Sequence, residues 1–339
     1  MLNTILLKFS TNLGTRNKEF TIIRWSSVHK PALGGIGFFM AFIMSIVYYS
    51  IFFQQQEIFL NKPFIGFVVA CMFGFLIGLA DDAYNTNPTL KFLGQVACGF
   101  ILIFSGTYIT IFDNELLNYA LTLVWVVGIM NSINMLDNMD ATTTVTAIGI
   151  ISVAALYLST NNMIDYFDFL MMFGVLASLI GFLFHNWHPS KMFMGDTGSQ
   201  FLGVFLSFVG IKYLWNAPFP NSDFVVPQKI ILVAIAFILP ISDTTTVTIN
   251  RLLKRQSPFV GGKDHTTHYL SYLGMSDSQI GFLFLGISAM SNFLCILIMN
   301  FIPEWKTSYT FIFSGYFLLV FSGLYLTTKS KIFRKLLKR

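Results

Sequence analysis

Charge is what this chain has least of. Asp, Glu, Lys and Arg supply 11% of its 339 residues, against roughly a quarter in an ordinary soluble domain, and that shortfall excludes a conventional water-soluble enzyme. Cysteine is almost as scarce. Cys71, Cys98 and Cys295 show no C-x-x-C spacing and an odd count, so neither a disulfide framework nor a thiolate zinc site is legible. All three fall inside apolar runs and read as small core residues. Low-complexity segments and obvious repeats are absent, and the longest polar stretch, about 250–279, is too short for a soluble domain. Absent too is the alternating ten-residue pattern of an outer-membrane barrel. The opening MLNTILLKFSTNLGTRNKEF holds an apolar piece interrupted by Lys8, too short to span and without the small-residue cleavage site of a secretory signal.

What remains is apolar: 55% of residues are hydrophobic and the mean hydropathy is +0.67. A spanning helix needs about 20 such residues, and ten candidates are centred near 44, 73, 103, 124, 150, 176, 206, 239, 290 and 318. The expected fold is all-α, a polytopic transmembrane bundle of about ten spans with its active-site loops on the cytoplasmic side. Residues 1–339 read as one integral membrane domain, with an interfacial arm at 1–27 and a basic tail at 329–339. Ten spans leave both termini on one side. Of the 21 Lys and Arg, all but Lys62, Lys212, Lys229 and Lys306 fall on that side, which marks it as cytoplasmic. The net charge of +5 and the tail KSKIFRKLLKR read as an orientation signal and anionic-lipid contact, not nucleic-acid binding.

Five polar clusters fall on that same side: VHKPALGG (28–35), DDAYNTNPTLK (81–91), NSINMLDNMD (131–140), HNWHPSKMFMGDTGS (185–199) and RLLKRQSPFVGGKDHTTH (251–268). Adjacent helical residues point about 100° apart, so Asp81 and Asp82 are expected to do different work, although a solvated helix end explains the pair equally well. Lys91 offers partial compensation. Asn131, Asn134, Asp137 and Asp140 recur every three positions. An unbroken helix would swing the last to the face opposite the first, so unwinding after Asn134 is expected, bringing all four to one pocket. The alternative is a helix end with Asp140 as the cap of a new helix over ATTTVTAIG. MFMGDTGS reads as a turn opening a helix, with Gly195 and Gly198 freeing the backbone and Asp196 or Thr197 as cap, and free N–H groups there suit phosphate. Arg251, Lys254, Arg255, Lys263, His265 and His268 crowd one loop. Cations facing acids suggest a phosphorylated substrate with a hard cation, Mg²⁺ or Mn²⁺ rather than Zn²⁺.

In order and wording the clusters resemble the polyprenyl-phosphate N-acetylhexosamine-1-phosphate transferases of glycosyltransferase family 4. The motifs are GLADD with K-F-L-G-Q, N-x-x-N-x-x-D-x-x-D, F-M-G-D-T-G-S, P-I-S-D-T, S-P-F and D-H-x-x-H, and they run from about His29 to Leu270. The last motif looks more like the N-acetylglucosamine-1-phosphate branch than the muramoyl-pentapeptide branch. The resemblance implies transfer of a sugar-1-phosphate from a UDP-sugar to polyprenyl (undecaprenyl) phosphate in the bacterial inner membrane, with release of UMP, as the first step of a surface glycan. It further implies Asp196 as the principal Mg²⁺ ligand with Asn134 second, and Asp81 and Asp82 assisting the lipid phosphate. Lys91 is implied on the diphosphate and Phe193 on uracil beside Asn138 and Asp140. Asn131, Asp137 and Asn186 shape the nucleotide pocket, while Arg251, Asp264, His265 and His268 close over phosphates and sugar. Asp137, Asp140 and His265 join Asp81 and Asp82 as catalytic candidates, and the reading also allows a homodimer. Departures stand at Asn138 and Ala141, where the family usually has Gly, and at Thr267, where a middle His is common. Two other classes compete: an ion- or proton-coupled transporter, whose key acids belong near the midplane on broken helices, and an inactive paralogue kept as a scaffold.

Overall fold

Asparagine and proline punctuate the apolar runs. The computed structural model describes residues 4, 6, 7, 30–53, 61–160, 166–217, 226–258 and 261–329. His29, nearly all of the 1–27 arm and tail residues 330–339 lie outside them. In chain order the helices are α1 (Gly34–Phe52), α2 (Lys62–Tyr84), α3 (Pro88–Phe104), α4 (Glu115–Leu136), α5 (Thr142–Thr160) and α6 (Tyr166–Asn186). There follow α7 (Gly195–Gly210), α8 (Val226–Ala236), α9 (Ile238–Leu253), α10 (Thr266–Tyr272), α11 (Asp277–Phe301) and α12 (Thr307–Thr327). Asn61 caps α2 by accepting from Phe64 N at 3.3 Å. At the other end Asn85 takes the left-handed conformation (φ 52°), and Asn87 then caps α3 by accepting from Thr89 N at 2.9 Å with Pro88 at its first position. The segment YNTNP is thus a helical hairpin turn. It sets Asp81 and Asp82 in the last turn of α2 beside Lys91 in the first turn of α3.

The ten expected spans correspond to these helices. Seven are individually long and apolar enough to cross a membrane, the bent pair α8–α9 adds an eighth, and the shorter α3 and α7 occupy the other two positions. The 83° bend between α8 and α9 has a local cause: Pro240 offers no N–H, and its ring collides with the carbonyl four residues back, that of Ala236. α4 continues to Leu136, two residues past the expected unwinding at Asn134, before the turn 137–141.

Nearly every residue of α7 is buried, making it the central post, flanked by α1, α2 and α4. Lipid tails are as apolar as the protein interior, so association here rests on close packing rather than on expulsion of water. Gly78 of α2 lies so near α7 that a Cβ there would sit 2.2 Å from the Asp196 carbonyl oxygen, and one on Gly35 would sit 2.2 Å from Gly198 N. Above these contacts Phe67 stacks on Phe208 at 3.7 Å between ring centres, and Phe42 meets Phe67, Phe201 and Phe205 edge-on. Met44, Phe52, Phe104, Val124, Phe184 and Phe311 point outward, as a lipid-facing surface requires. The three cysteines are buried free thiols.

Candidate active site

α2, α4 and α9 end, and α3, α7 and α10 begin, around one cavity of about 700 Å³. At its floor three helix tips meet on one ammonium group. Lys91 Nζ lies 2.8 Å from Asp81 Oδ2, 2.9 Å from Asp196 Oδ1 and 3.3 Å from Asn134 Oδ1. Asn134 Nδ2 donates to Asp196 Oδ1 at 2.6 Å and to Ser199 Oγ at 2.8 Å. Beneath them Gln95 and Asn131 exchange hydrogen bonds, and Gln95 also donates to Gln200 at 3.2 Å, carrying an amide network into the core.

Four acids hold the loops by one repeated device: a carboxylate accepts from both the backbone N–H and the hydroxyl of a single Ser or Thr. Asp81 Oδ1 takes Thr86 N at 2.9 Å and Thr86 Oγ1 at 2.7 Å. Asp82 Oδ2 takes Thr197 N at 2.8 Å and Thr197 Oγ1 at 2.7 Å, while its Oδ1 takes Asp196 N at 3.1 Å. Asp140 binds Ser190 likewise, at 3.1 and 2.7 Å. Asp243 binds Thr266, at 2.8 and 2.7 Å. The cap of α7 is therefore not Asp196 or Thr197, as the local motif suggests; no side chain from the Met194 cap position serves. Asp82 caps it from another helix, where a negative charge also meets the positive end of the helix dipole. Gly195 supplies the left-handed turn (φ +74°) that leads in, whereas Gly198 serves close packing.

Asp140 also lies 3.6 Å from Lys30 Nζ and 3.1 Å from His188 Nδ1, and His188 reaches Asp277 at 3.5 Å. Asp140, His188 and Asp277 offer donor atoms within 4.8 Å of one another, close enough to hold a metal ion. Ser190 and Lys30 already serve Asp140 there. Lys30 Nζ stands 5.0 Å over the Phe193 ring, and Ala32 pairs with Phe193 in a single bridge that ties the 30–34 segment to the cavity wall.

The cationic loop closes the remaining side. Arg251 grips Asp264 with two hydrogen bonds, at 2.9 and 2.6 Å, and donates to Pro258 O at 2.7 Å. Burial opposes charge on Asp264, but the hydrogen bonds and positive charge of Arg251 outweigh it and keep the carboxyl below its ordinary range. His268 Nδ1 accepts from His265 N at 3.3 Å. Burial, reinforced by His265, lowers the His268 pKa to about 4, so this imidazole is neutral at pH 7 with its proton on Nε2.

Twelve of the residues singled out in the sequence line the one cavity: Asp81, Lys91, Asn131, Asn134, Asp137, Asn138, Asp140, Phe193, Asp196, Arg251, His265 and His268. Three stand behind it. Asp82 caps α7, Asp264 holds Arg251, and buried Asn186 accepts from Ala141 N at 3.1 Å and Thr144 Oγ1 at 2.7 Å, joining the starts of α5 and the 187–194 turn. Sequence reading missed Lys30, Gln95, Asp243 and the four clamping hydroxyls. P-I-S-D-T flagged Asp243 only as a motif letter, and nothing near Thr197 hints at a partner in α2.

Fold and site together define a polytopic helical membrane protein with a charge-lined chamber at one end of its bundle. Residues 64–214 match the profile of glycosyl transferase family 4. It is 28% identical over 302 residues to a probable undecaprenyl-phosphate N-acetylglucosaminyl 1-phosphate transferase of Bacillus subtilis, covering 81% of this chain and 80% of that one. It is 27% identical to a decaprenyl-phosphate N-acetylglucosaminephosphotransferase of Mycobacterium leprae (76% and 71% covered). With a phospho-N-acetylmuramoyl-pentapeptide-transferase of Campylobacter jejuni the identity is 24% (79% and 80% covered).

Proposed function

We propose that the protein transfers a sugar-1-phosphate of the N-acetylhexosamine class, such as GlcNAc-1-phosphate, from a UDP-sugar to polyprenyl phosphate. The reading treats 1–339 as one integral membrane unit of the bacterial inner membrane, with the chamber and both termini facing the cytoplasm, where 17 of the 21 Lys and Arg fall. The observation that carries it is Lys91 held among Asp81, Asn134 and Asp196 on the floor of a chamber roofed by Arg251, His265 and His268. Acids alone would repel a diphosphate, and cations alone would not retain a metal. The two sets face each other here.

An oxygen of the lipid phosphate attacks the β-phosphorus of the UDP-sugar, the bond from that phosphorus to the bridging oxygen breaks, and UMP leaves with the bridging oxygen. One phosphoanhydride replaces another, so no further energy source is needed. Such transfers are mostly a matter of positioning and charge neutralisation. A phosphate monoester has its second pKa at about 6 and is largely dianionic at neutral pH, so Asp81 and Asp137 orient the acceptor more than they deprotonate it. Lys91 and Arg251 neutralise diphosphate oxygens, and His268 donates its Nε2–H. Phe193 stacks on uracil with Asn138 and Asp140 at its edge, and Asn131 braces the floor. Asp82, Asn186 and Asp264 act from behind by holding Asp196, the α5 start and Arg251.

Carboxylate and amide oxygens at the α4 and α7 tips are hard donors, a set that fits Mg²⁺ and admits Mn²⁺. Asp196 and Asn134 would hold the ion, which when bound supplies charge neutralisation at the diphosphate. The test supplies purified protein with undecaprenyl phosphate, Mg²⁺ and a panel of UDP-N-acetylhexosamines and measures UMP. Lipid-dependent UMP with at least one donor, lost in Asp196→Asn, is expected. No lipid-dependent UMP with any donor would leave the scaffold reading in its place.

A further inference from the structure

Asp243 lies in α9, six residues beyond the Phe237 break, and is fully buried. An isolated carboxylate so far from water is costly unless hydrogen bonds or charge offset the loss of hydration. It gathers three partners from one point of the cavity loop: Thr266 N at 2.8 Å and Thr266 Oγ1 at 2.7 Å on Oδ1, and His265 Nδ1 at 2.9 Å from Oδ2. Capping α10 does not by itself demand a buried charge, since Asn, Ser or Thr cap a helix about as well. Oδ1 alone meets the needs of Thr266. The second oxygen is given to a histidine that lines the cavity.

We propose that Asp243 is a positioning residue for His265. An ionised carboxylate only accepts, so the His265 proton facing it sits on Nδ1, and Nε2 is the nitrogen left to meet a ligand in the cavity. Asp243 fixes both the tautomer and the ring plane. Among the other groups facing His265, His268 accepts from its backbone N–H at 3.3 Å and sets its own backbone N–H against the His265 side chain in the capping box that opens α10, with the two rings 5.5 Å apart, while Asp264 is taken up by Arg251. Of the described groups around the ring, only Asp243 brings a carboxylate to hydrogen-bond distance of Nδ1. The ligand atom that Nε2 meets is a phosphate oxygen of the sugar-nucleotide donor, and this part rests on the transferase reading. The tautomer does not.

Two readouts test the proposal on the full chain in lipid nanodiscs. With ¹⁵N-labelled histidine and no substrate, the His265 signal, assigned by its loss in His265→Asn, is expected as the Nδ1–H tautomer in wild type. It should be redistributed in Asp243→Asn and kept in Thr266→Val, which spares Oδ2. Wild-type His265 in the Nε2–H form overturns the proposal, and needs no variant to fold. In UMP assays, Asp243→Asn and His265→Asn should each lower kcat/KM for the donor roughly tenfold or more, as for loss of a charge-assisted hydrogen bond. The double variant should be no worse than His265→Asn alone. Equal losses from Asp243→Asn in both backgrounds would make Asp243 a helix cap only. Should wild type release no UMP, the transferase reading fails while the spectrum still decides the tautomer.

Discussion

Thr267 Oγ1 donates to Asn138 Oδ1, joining the cationic loop to the turn that ends α4. Asn138 Nδ2 in turn donates to Met135 O at 2.8 Å. Both residues depart from the pattern usual among the transferases this chain resembles, and the structure puts the two departures in contact. They act as one latch across the cavity rim. Thr267→Val and Asn138→Gly should each raise the donor KM, and in a double-mutant cycle their effects should couple by about 1 kcal/mol, the worth of one hydrogen bond. Strictly additive effects would mean that the loop closes without the latch.

Ala141, the third departure, sits at φ +66°, a conformation that costs an L-residue roughly 1–2 kcal/mol. Its N–H is held by Asn186, which keeps it there. Glycine removes the strain but loses more freedom on folding, so Ala141→Gly should stabilise by only about 0.5 kcal/mol. Ala141→Val should destabilise clearly, because a β-branched side chain tolerates positive φ poorly. Thermal melts in detergent read both, and a stabilising Val would contradict the assigned backbone.

Asp82 and Asp196 should separate in their effects. Asp82→Ala strips three hydrogen bonds from the start of α7 and should cost about 1–2 kcal/mol of stability, as lost helix caps do, as well as activity. Asp196→Asn keeps shape and hydrogen bonding at the tip, so it should abolish UMP release with a melt close to wild type. Melts and UMP assays on the same preparations decide. A wild-type melt for Asp82→Ala would remove its role as cap.

His268 makes acid destabilising. Its pKa is about 4 in the fold against 6.5 for the free side chain, so between those values the unfolded chain takes up a proton that the folded chain refuses. Stability should therefore be full above pH 6.5 and fall as pH drops towards 4. His268→Gln should flatten that part of the melting-temperature profile. An unchanged slope would mean that His268 charges freely in the fold.

The spans were legible because lipid demands long apolar runs, and the hairpin at 85–88 because Asn and Pro carry their own geometry. The α8–α9 break was not read, although Pro240 carries the local signal for it; the run centred near 239 was taken as one span. Eleven of the twelve chamber residues were legible for a different reason: polar residues in a greasy chain must converge on something, whereas Phe193 was named only by the family resemblance. The long-range clamps were not legible. Asp82 meets Thr197 from 115 residues away and Asp140 meets Ser190 from 50, and no local spacing encodes such a meeting. The family resemblance makes Asp82 a catalytic candidate; the fold adds that its oxygens accept from Asp196 N and from the N–H and hydroxyl of Thr197.

The most direct measurement of the central claim, that the α4 and α7 tips share one cation with the donor diphosphate, is electron paramagnetic resonance of Mn²⁺ bound to the purified protein. One Mn²⁺ per chain is expected, with ³¹P coupling on addition of UDP-GlcNAc, lost in Asp196→Asn and kept in Asp277→Asn. Mn²⁺ that survives Asp196→Asn and disappears with Asp277→Asn would move the metal to the Asp140, His188 and Asp277 cluster and contradict the account.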